Sequence, residues 1–577
     1  MTAPPLWLVA LVLAIGVLLV RVALTARERA LARLRSEWGQ APRREHRLDA
    51  IADAHRSRAA GEDVEGLDDR TWNDLHLDEV FVACDRTMST LGQHALYHRL
   101  RGVPVGRHLD AFESLVTRMA EDAPARERAQ LALERLTDPR GYDLWWLGQR
   151  EVLAPSRWHA AFPVLALLTF GVAVALPFQL SLIPLFLALI AVNVAVRNAT
   201  DRQVRDVAGT FRQLAPVIGV GQSLGFLAGD DIAPIVTPLQ TEAPRLNRLK
   251  TIARWVSGDP FMLSVQPGGF ALVGIDLVSI VYDYLNIVFL LDANGAYFGA
   301  GELRTRRASL LGVMAAAGDV DAAISVAAYR AGCDGWVRPR FLPPGAAATL
   351  TDVRHPLIDE AVPNSIAMPP GQGVLVTGSN MSGKSTFLRT VGVNVVMAQT
   401  IHTCLATAYE SPVFHVRSSI GRSDDLLSGK SYYIVEVESL IGLVAASQRD
   451  APHLILLDEL FRGTNAVERI AAGQAVLREL ITGTGQKRHV VIAATHDGEL
   501  VDLLPDLFAP VHFGDSVVDD AMVFDHRLKP GQATSRNAIA LLKMNGAPER
   551  MLRDALDCAA TLDRSRALAG ASTRDGL

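Results

Sequence analysis

Apolar residues along the chain fall into three kinds of pattern. The first is the continuous run. Ala3–Val20 carries no charge and is followed by Arg21, Arg27, Arg29, Arg33 and Arg35. Ala160–Phe178 and Leu180–Val196 meet at Pro177-Phe178-Gln179, with Arg150 and Arg157 before the pair and Arg197 and Arg202 after it. Each run is long enough to cross a bilayer as a helix. A pair of core helices is the competing reading, but a core helix of this length usually keeps a polar face. A signal peptide would carry its positive charge before the apolar run, not after it. Basic residues gather on the cytoplasmic side. The first run is therefore expected to leave its N-terminus outside, and the pair to form a hairpin with a short external turn.

The second pattern is helical. Asp53–Leu153 and Ala199–Ala347 are rich in Leu, Ala, Arg and Glu at spacings of three and four, and Thr87 or Ser89 is predicted to start a helix. The third begins beyond Pro343-Pro344-Gly345, which reads as a domain boundary. Short apolar runs at Gly373–Thr377, His453–Leu457 and His489–Ala494 predict buried parallel strands. Helices are expected from Phe387 to Gln399, over Tyr432–Ala446 and from Pro548 to Leu568, with 569–577 a disordered tail.

The strand at Gly373–Thr377 runs into Gly378-Ser379-Asn380-Met381-Ser382-Gly383-Lys384-Ser385-Thr386, a G-x-x-x-x-G-K-S loop that opens a helix. Backbone N–H groups of such a loop, with the helix N-terminus behind them, cradle phosphates. Gly378 and Gly383 allow close approach of the backbone. Lys384 can reach the outer phosphates, the Ser385 hydroxyl can hold Mg2+, and Ser382 and Thr386 complete the cradle. The second strand ends in Asp458-Glu459. Phosphoryl transfer needs one carboxylate for Mg2+ and one group to orient water, and these two suit those roles. The third strand ends in Thr495-His496-Asp497. His496 is read as a sensor of the γ-phosphate; a helix-capping turn built by Thr495 and Asp497 is the plainer alternative.

The order of these segments resembles the ATPase domain of the MutS family of DNA mismatch-repair proteins, a branch of the ATP-binding-cassette superfamily. Thr377–Ser385 is similar to the family's T-G-P-N-M-G-G-K-S, departing at Ser379 and Ser382. Ser423–Ser431 is similar to A-D-D-L-A-S-G-R-S, Asp458–Thr464 to D-E-I-G-R-G-T, and Thr495-His496 to its A-T-H turn. The resemblance implies an ATP site with Asn380 lining it. It also implies a dimer in which the segment containing Ser431 reaches the γ-phosphate held by the second subunit. Ser431 is equally suited to cap the helix that follows. The adenine is expected to lie between His526 and an upstream residue at or near Ile366. The segment from His76 through Asp85-Arg86-Thr87 to Leu100 resembles the start of the family's lever, and Ala300–Ala331 the returning lever helices.

Composition narrows the partners. The chain has 577 residues, with 57 basic and 62 acidic side chains for a net charge of −5, so it carries no global basic footprint for DNA. Four separated cysteines, Cys84, Cys333, Cys404 and Cys558, make no C-x-x-C pair and suggest neither a zinc site nor a disulfide framework. About fifty residues separate the first apolar run from the lever-like motif, too few for the family's mismatch-reading domain. The apolar hairpin stands where the family inserts its DNA clamp.

The expected architecture is thus an α/β P-loop ATPase domain of cassette type at the C-terminus, an all-α lever-like region and three transmembrane helices. Its parts are an anchor at 1–25, a basic linker at 26–52, lever-like helices at 53–158 and 198–347, a membrane hairpin at 159–197, the ATPase domain at 348–547, a helix at 548–568 and the tail. The expected cofactors are ATP and Mg2+. The expected setting is the inner (cytoplasmic) membrane, multi-pass, with the ATPase domain in the cytoplasm. Two functions stay open: a homodimeric MutS-like ATPase that contacts DNA without mismatch preference, and a mechanochemical ATPase acting on protein or lipid partners. A cassette transporter is the weakest reading, because three spans are few for a transport path.

Overall fold

The structure, a computed structural model, describes residues 6–42, 45–60, 66–102, 107–136, 144–150, 157–256, 284–379, 382–420, 432–448, 451–462, 464–483, 489–518, 521–532, 539, 542 and 546–574. They form two compact units. One comprises Met1–Glu65 and Phe81–Asp334, the other Gly66–Val80 and Gly335–Leu577.

The first unit is helical, as its spacing predicts. Helix Leu6–Ser36 carries the first apolar run straight into the basic residues, so part of the expected linker continues the same helix. The returning helix Leu291–Ala331 packs along helices Thr90–Arg101, Ile183–Leu224 and Asn247–Val256. Ser89 is the residue that starts the helix at Thr90: its hydroxyl accepts the Gly92 N–H at 3.1 Å. The buried Asp321 carboxylate fastens that turn, accepting from Met88 N–H at 2.9 Å, Ser89 N–H at 2.8 Å and the Ser89 hydroxyl at 2.6 Å. Two buried ion pairs fasten Leu291–Ala331 to helices Arg107–Glu121 and Thr90–Arg101. Arg330 grips both oxygens of Glu113 at 2.9 and 2.6 Å, and Arg99 meets Asp319 at 3.0 Å.

Among the described residues, three helical stretches are long and apolar enough to cross a membrane. An apolar stretch of 18 residues within Leu291–Ala331 is 83% buried, and the helix belongs to the core of its unit. Trp158–Ala175 and Leu180–Thr200 are the expected hairpin, and their apolar 18-residue stretches are only 17% and 6% buried. Leu167, Phe170, Phe178 and Leu180 are bare on its surface. Inside it, the buried Asn193 amide donates to Thr169 Oγ1 at 3.0 Å and to the Val288 carbonyl at 2.7 Å.

The second unit contains two sheets. Strands β1 (Arg340–Phe341), β2 (Ala348–Val353), β3 (Asn364–Met368) and β5 (Ala408–Ser411) form the smaller, in the order β1-β5-β2-β3. The larger runs β10-β9-β4-β8-β7-β6 and comprises β4 (Gly373–Thr377), β6 (His415–Ser419), β7 (His453–Asp458), β8 (Val490–Ala494), β9 (Phe508–Val518) and β10 (Ala521–Pro530). All its pairings are parallel except β9 with β10. Strands β4, β7 and β8 are the three apolar runs of the sequence. Their fully buried patterns explain why they read as continuous rather than alternating.

Residues 66–80 join this unit, although sequence spacing groups them with the helices around them. The cause is long-range. Asp74 Oδ2 accepts from the Ser418 hydroxyl and the Ile420 N–H, both at 2.8 Å, and Arg389 Nε donates to the Asp74 carbonyl at 2.8 Å. The last helix, Glu549–Arg574, extends well into the stretch expected to be a disordered tail. Its Ala, Leu and Arg content favours helix throughout.

Candidate active site

In a parallel sheet, ligands bind beyond the carboxyl ends of the strands. Here β4, β7 and β8 are neighbours, so three loops far apart in sequence converge at one edge. The turn after β4 has φ of 143° at Gly378 and 113° at Gly383. Such backbone suits glycine and leaves the loop close to whatever it surrounds. Helix Lys384–Ile401 starts directly behind it, with its N-terminus facing the loop.

Lys384 is buried. Its Nζ donates to the carbonyls of Gly378 at 2.9 Å and Ser379 at 3.0 Å and lies 3.4 Å from His496 Nε2. Burial holds its ammonium below the usual lysine range, against the pull of Glu459 and Asp458. Across the sheet, the Ser385 hydroxyl donates to Asp458 Oδ2 at 2.5 Å. Burial pushes the Asp458 carboxyl above its usual range, outweighing the Ser385 hydrogen bond. Glu459 Oε1 meets His496 Nε2 at 2.6 Å, and its other oxygen meets Arg462 at 2.5 Å. The hydrogen bond from His496 holds the Glu459 carboxyl below its usual range. The Glu459 N–H donates to the Ala494 carbonyl at 2.9 Å, tying the ends of β7 and β8 together.

A cavity of about 350 Å³ lies against these groups, within the usual range for small-molecule sites. Ser379, Gly383, Lys384, Ser385, Thr386 and Glu459 line its polar side. Ile358, Ala361, Val362, Phe513 and His526 line the other. His526 sits at a bulge in β10, with φ of 51° and a register shift between Phe524 and Leu528. Asn364 braces that bulge: its amide donates to the His526 carbonyl at 3.0 Å and its oxygen accepts the Leu528 N–H at 2.7 Å. The ring's Nδ1 lies 3.0 Å from the Ser382 carbonyl.

The chain thus brings together Gly378, Ser382, Gly383, Lys384, Ser385, Thr386, Asp458, Glu459, His496 and His526 from the sequence-derived set. Asn380 and Ser431 lie outside the described residues. Ile366 does not line the cavity. It is buried in β3, paired with Leu350, and the aliphatic wall is made by Ile358, Ala361 and Val362 instead. Arg462, Asn364 and that wall escape sequence reading. Only the Arg462 spacing, three residues past Glu459, offers a hint. The plainer reading of the third loop, a helix cap built by Thr495 and Asp497, is not what forms: helix Glu499–Leu503 starts at Gly498 with no side-chain cap, while Thr495 Oγ1 accepts the Asp497 N–H at 2.9 Å and Asp497 grips Arg469 at 2.8 and 2.6 Å.

The donor set suits a magnesium nucleotide. Asp458 Oδ1 and the hydroxyls of Ser379 and Ser382 are buried without a partner among the described residues. Buried polar atoms normally have partners, so orphans gathered at one cradle fit a polar ligand. Mg2+ favours oxygen ligands and few protein carboxylates, which Ser385 and Asp458 supply.

Residues 374–563 match the family model described as MutS domain V. The chain is 34% identical over 265 residues to the DNA mismatch repair protein MutS of Thermus thermophilus, covering 45% of this chain and 30% of that protein. It is 36% identical over 277 residues to MutS of Roseiflexus sp., covering 46% of this chain and 24% of that one. It is 34% identical over 256 residues to the DNA mismatch repair protein MutS 2 of Halobacterium salinarum, covering 42% and 29% respectively. The match therefore spans less than a third of each relative's length. Residues 374–563 are thus a domain of the MutS family, its domain V.

Proposed function

We propose that the protein is a membrane-anchored, MutS-like ATPase that binds and hydrolyses ATP with Mg2+ as a dimer. The observation that carries this reading is the contact of Ser385 with Asp458 at 2.5 Å, beside Lys384 and with Glu459 one residue further on. Bound MgATP supplies the transferable phosphoryl group and the cation that neutralises it. The chain supplies the rest by position. Lys384 and the N–H groups of the glycine loop bind the phosphates, and Ser385 and Asp458 hold the cation. Glu459 orients the attacking water and is itself aimed by His496 and Arg462. Catalysis of this type is mostly positioning and charge stabilisation, so a rigid, buried constellation suits it.

Two further parts of the reading follow. The segment containing Ser431 completes the site of a second subunit, as the family resemblance implies. The bare hairpin Trp158–Thr200 and the first apolar helix sit in the inner membrane, with the arginine-flanked ends and both ATPase sites in the cytoplasm. DNA contact by this chain is restricted to the phosphate backbone. The alternative, levers that work on protein or lipid partners, is favoured by the apolar hairpin lying between the lever segments.

Steady-state hydrolysis by the full chain in detergent tests the proposal. Turnover should require Mg2+ and should fall to background in Lys384→Ala. Hydrolysis that is absent, or equal in wild type and variant, contradicts it. A salt titration with duplex DNA separates the two roles: binding that falls steeply with salt supports the first, and no binding at low salt supports the second.

A further inference from the structure

Strand β7 ends in a turn with an unusual backbone. Glu459 has φ of 52° and Phe461 has φ of 56°. Left-handed backbone is strained for residues of this size and persists only where the surroundings enforce it. The family pattern has glycine at the position of Phe461, where no such strain arises.

The strand-end bond of Glu459 N–H to Ala494 holds one side of the turn, and helix Tyr432–Ser447 holds Phe461 on the other. The Phe461 N–H donates to Glu436 Oε1 at 2.7 Å, and Glu436 is only 5% exposed. Its second oxygen is buried without a partner among the described residues. Burial holds this carboxyl above its usual range, so the chain keeps an acid in a poorly solvated place. The Phe461 ring is equally buried. It belongs to the apolar cluster that contains Leu440 and Leu443 of the same helix. A polar anchor and an apolar anchor thus hold one strained turn, and the residue two positions before Phe461 is the water-orienting Glu459.

We propose that Glu436 and Phe461 are positioning residues that fix the Glu459 carboxylate by fastening its turn to helix Tyr432–Ser447. The inference rests on the ATPase reading given above. It has a mechanical consequence. The helix begins directly after Ser431, so a displacement of its N-terminus is passed to Glu459 through Phe461. A glycine in place of Phe461 would lack the ring that makes the second anchor.

The test uses the full chain in detergent, with Glu436→Gln, Glu436→Ala and Phe461→Gly. Displacing a catalytic group by a fraction of its reach costs turnover more than binding, so Glu436→Ala should lower kcat about tenfold or more with KM for ATP within about twofold. Glu436→Gln keeps an oxygen that accepts the Phe461 N–H and should retain kcat within about threefold. Phe461→Gly relieves the backbone strain, so it should stay folded yet lose kcat in the same way. Hydrogen exchange of the segment 458–464 without nucleotide gives a readout independent of activity. Glu436→Ala should speed exchange at the Phe461 amide about tenfold relative to wild type and to Glu436→Gln. Unchanged kcat and exchange in Glu436→Ala would overturn the inference, as would kcat and KM changing together, or Gln being as damaging as Ala. If Glu436→Ala does not fold, Phe461→Gly decides by the same two readouts. A wild-type chain without turnover would instead contradict the ATPase reading, which the exchange result does not depend on.

Discussion

Replacing Asp458 by Asn should make the nucleotide-free protein more stable while removing its metal-dependent activity. Asp458 Oδ2 accepts from Ser385, but Oδ1 is buried and orphaned, and Glu459 stands next to it with the same charge. Burial raises this carboxyl, so the folded chain holds its proton more tightly than the unfolded chain does. That contribution is present in acid and is lost as the pH rises through the raised folded value; at neutral pH the ionised group is a burden. Asparagine keeps an oxygen for Ser385 and replaces the orphaned charged oxygen with a neutral amide. An unsatisfied buried polar atom costs about 1–3 kcal/mol, and a charged one more, so the exchange should gain about 1 kcal/mol. For a unit of this size, that corresponds to about 2–4 °C in Tm. Thermal melts in EDTA at neutral pH measure it, and the gain should shrink as the pH falls toward the carboxyl's raised value. With ATP and Mg2+, wild type should gain stability by ligand linkage and the variant much less. A variant that melts below wild type in EDTA would refute the argument that this carboxylate is held unsatisfied for a cation.

Lys384→Ala should weaken ATP binding about tenfold to a hundredfold, the worth of a charge-assisted hydrogen bond, as measured by equilibrium titration; a loss under about threefold would count against the phosphate role. Mixing Lys384→Ala with Ser431→Arg subunits should restore part of the activity, because the mixed dimer contains one site with both groups intact. A verified mixed dimer as inactive as its parents would argue against shared sites. The chain alone should show no mismatch preference above about tenfold, or about 1.4 kcal/mol, for G·T over G·C duplexes at matched salt, and a larger ratio would overturn that expectation.

The sequence exposes the parts of the site that obey local rules. The glycine loop, Lys384, Ser385 and the Asp458-Glu459 strand end are legible because each needs a fixed residue type at a fixed offset from an apolar strand. The base side of the cavity is not. Ile366 stands in a promising stretch, but the pleat of β3 turns it into the small sheet's core, and the loop before β3 brings Ile358, Ala361 and Val362 to the cavity instead. The bracing of His526 by Asn364 depends on a bulge in β10 that no periodicity encodes. Residues 66–80 have helical spacing, yet the partners of Asp74 lie more than three hundred residues away. The apolar hairpin and the helix Leu291–Ala331 have similar composition, and only packing separates the bare pair from the buried one.

The central claim is that Glu459 orients water at a nucleotide held by Lys384, Ser385 and Asp458. A single-turnover experiment tests it most directly: γ-labelled ATP and Mg2+ are mixed with an excess of protein, and the bound label is recovered after a fixed time. Wild type should release labelled phosphate, whereas Glu459→Gln should bind ATP within about threefold of the wild-type affinity and return it intact, since the phosphate contacts survive the substitution. Equal phosphate release by the two proteins would contradict the assignment of Glu459 and the account built on it.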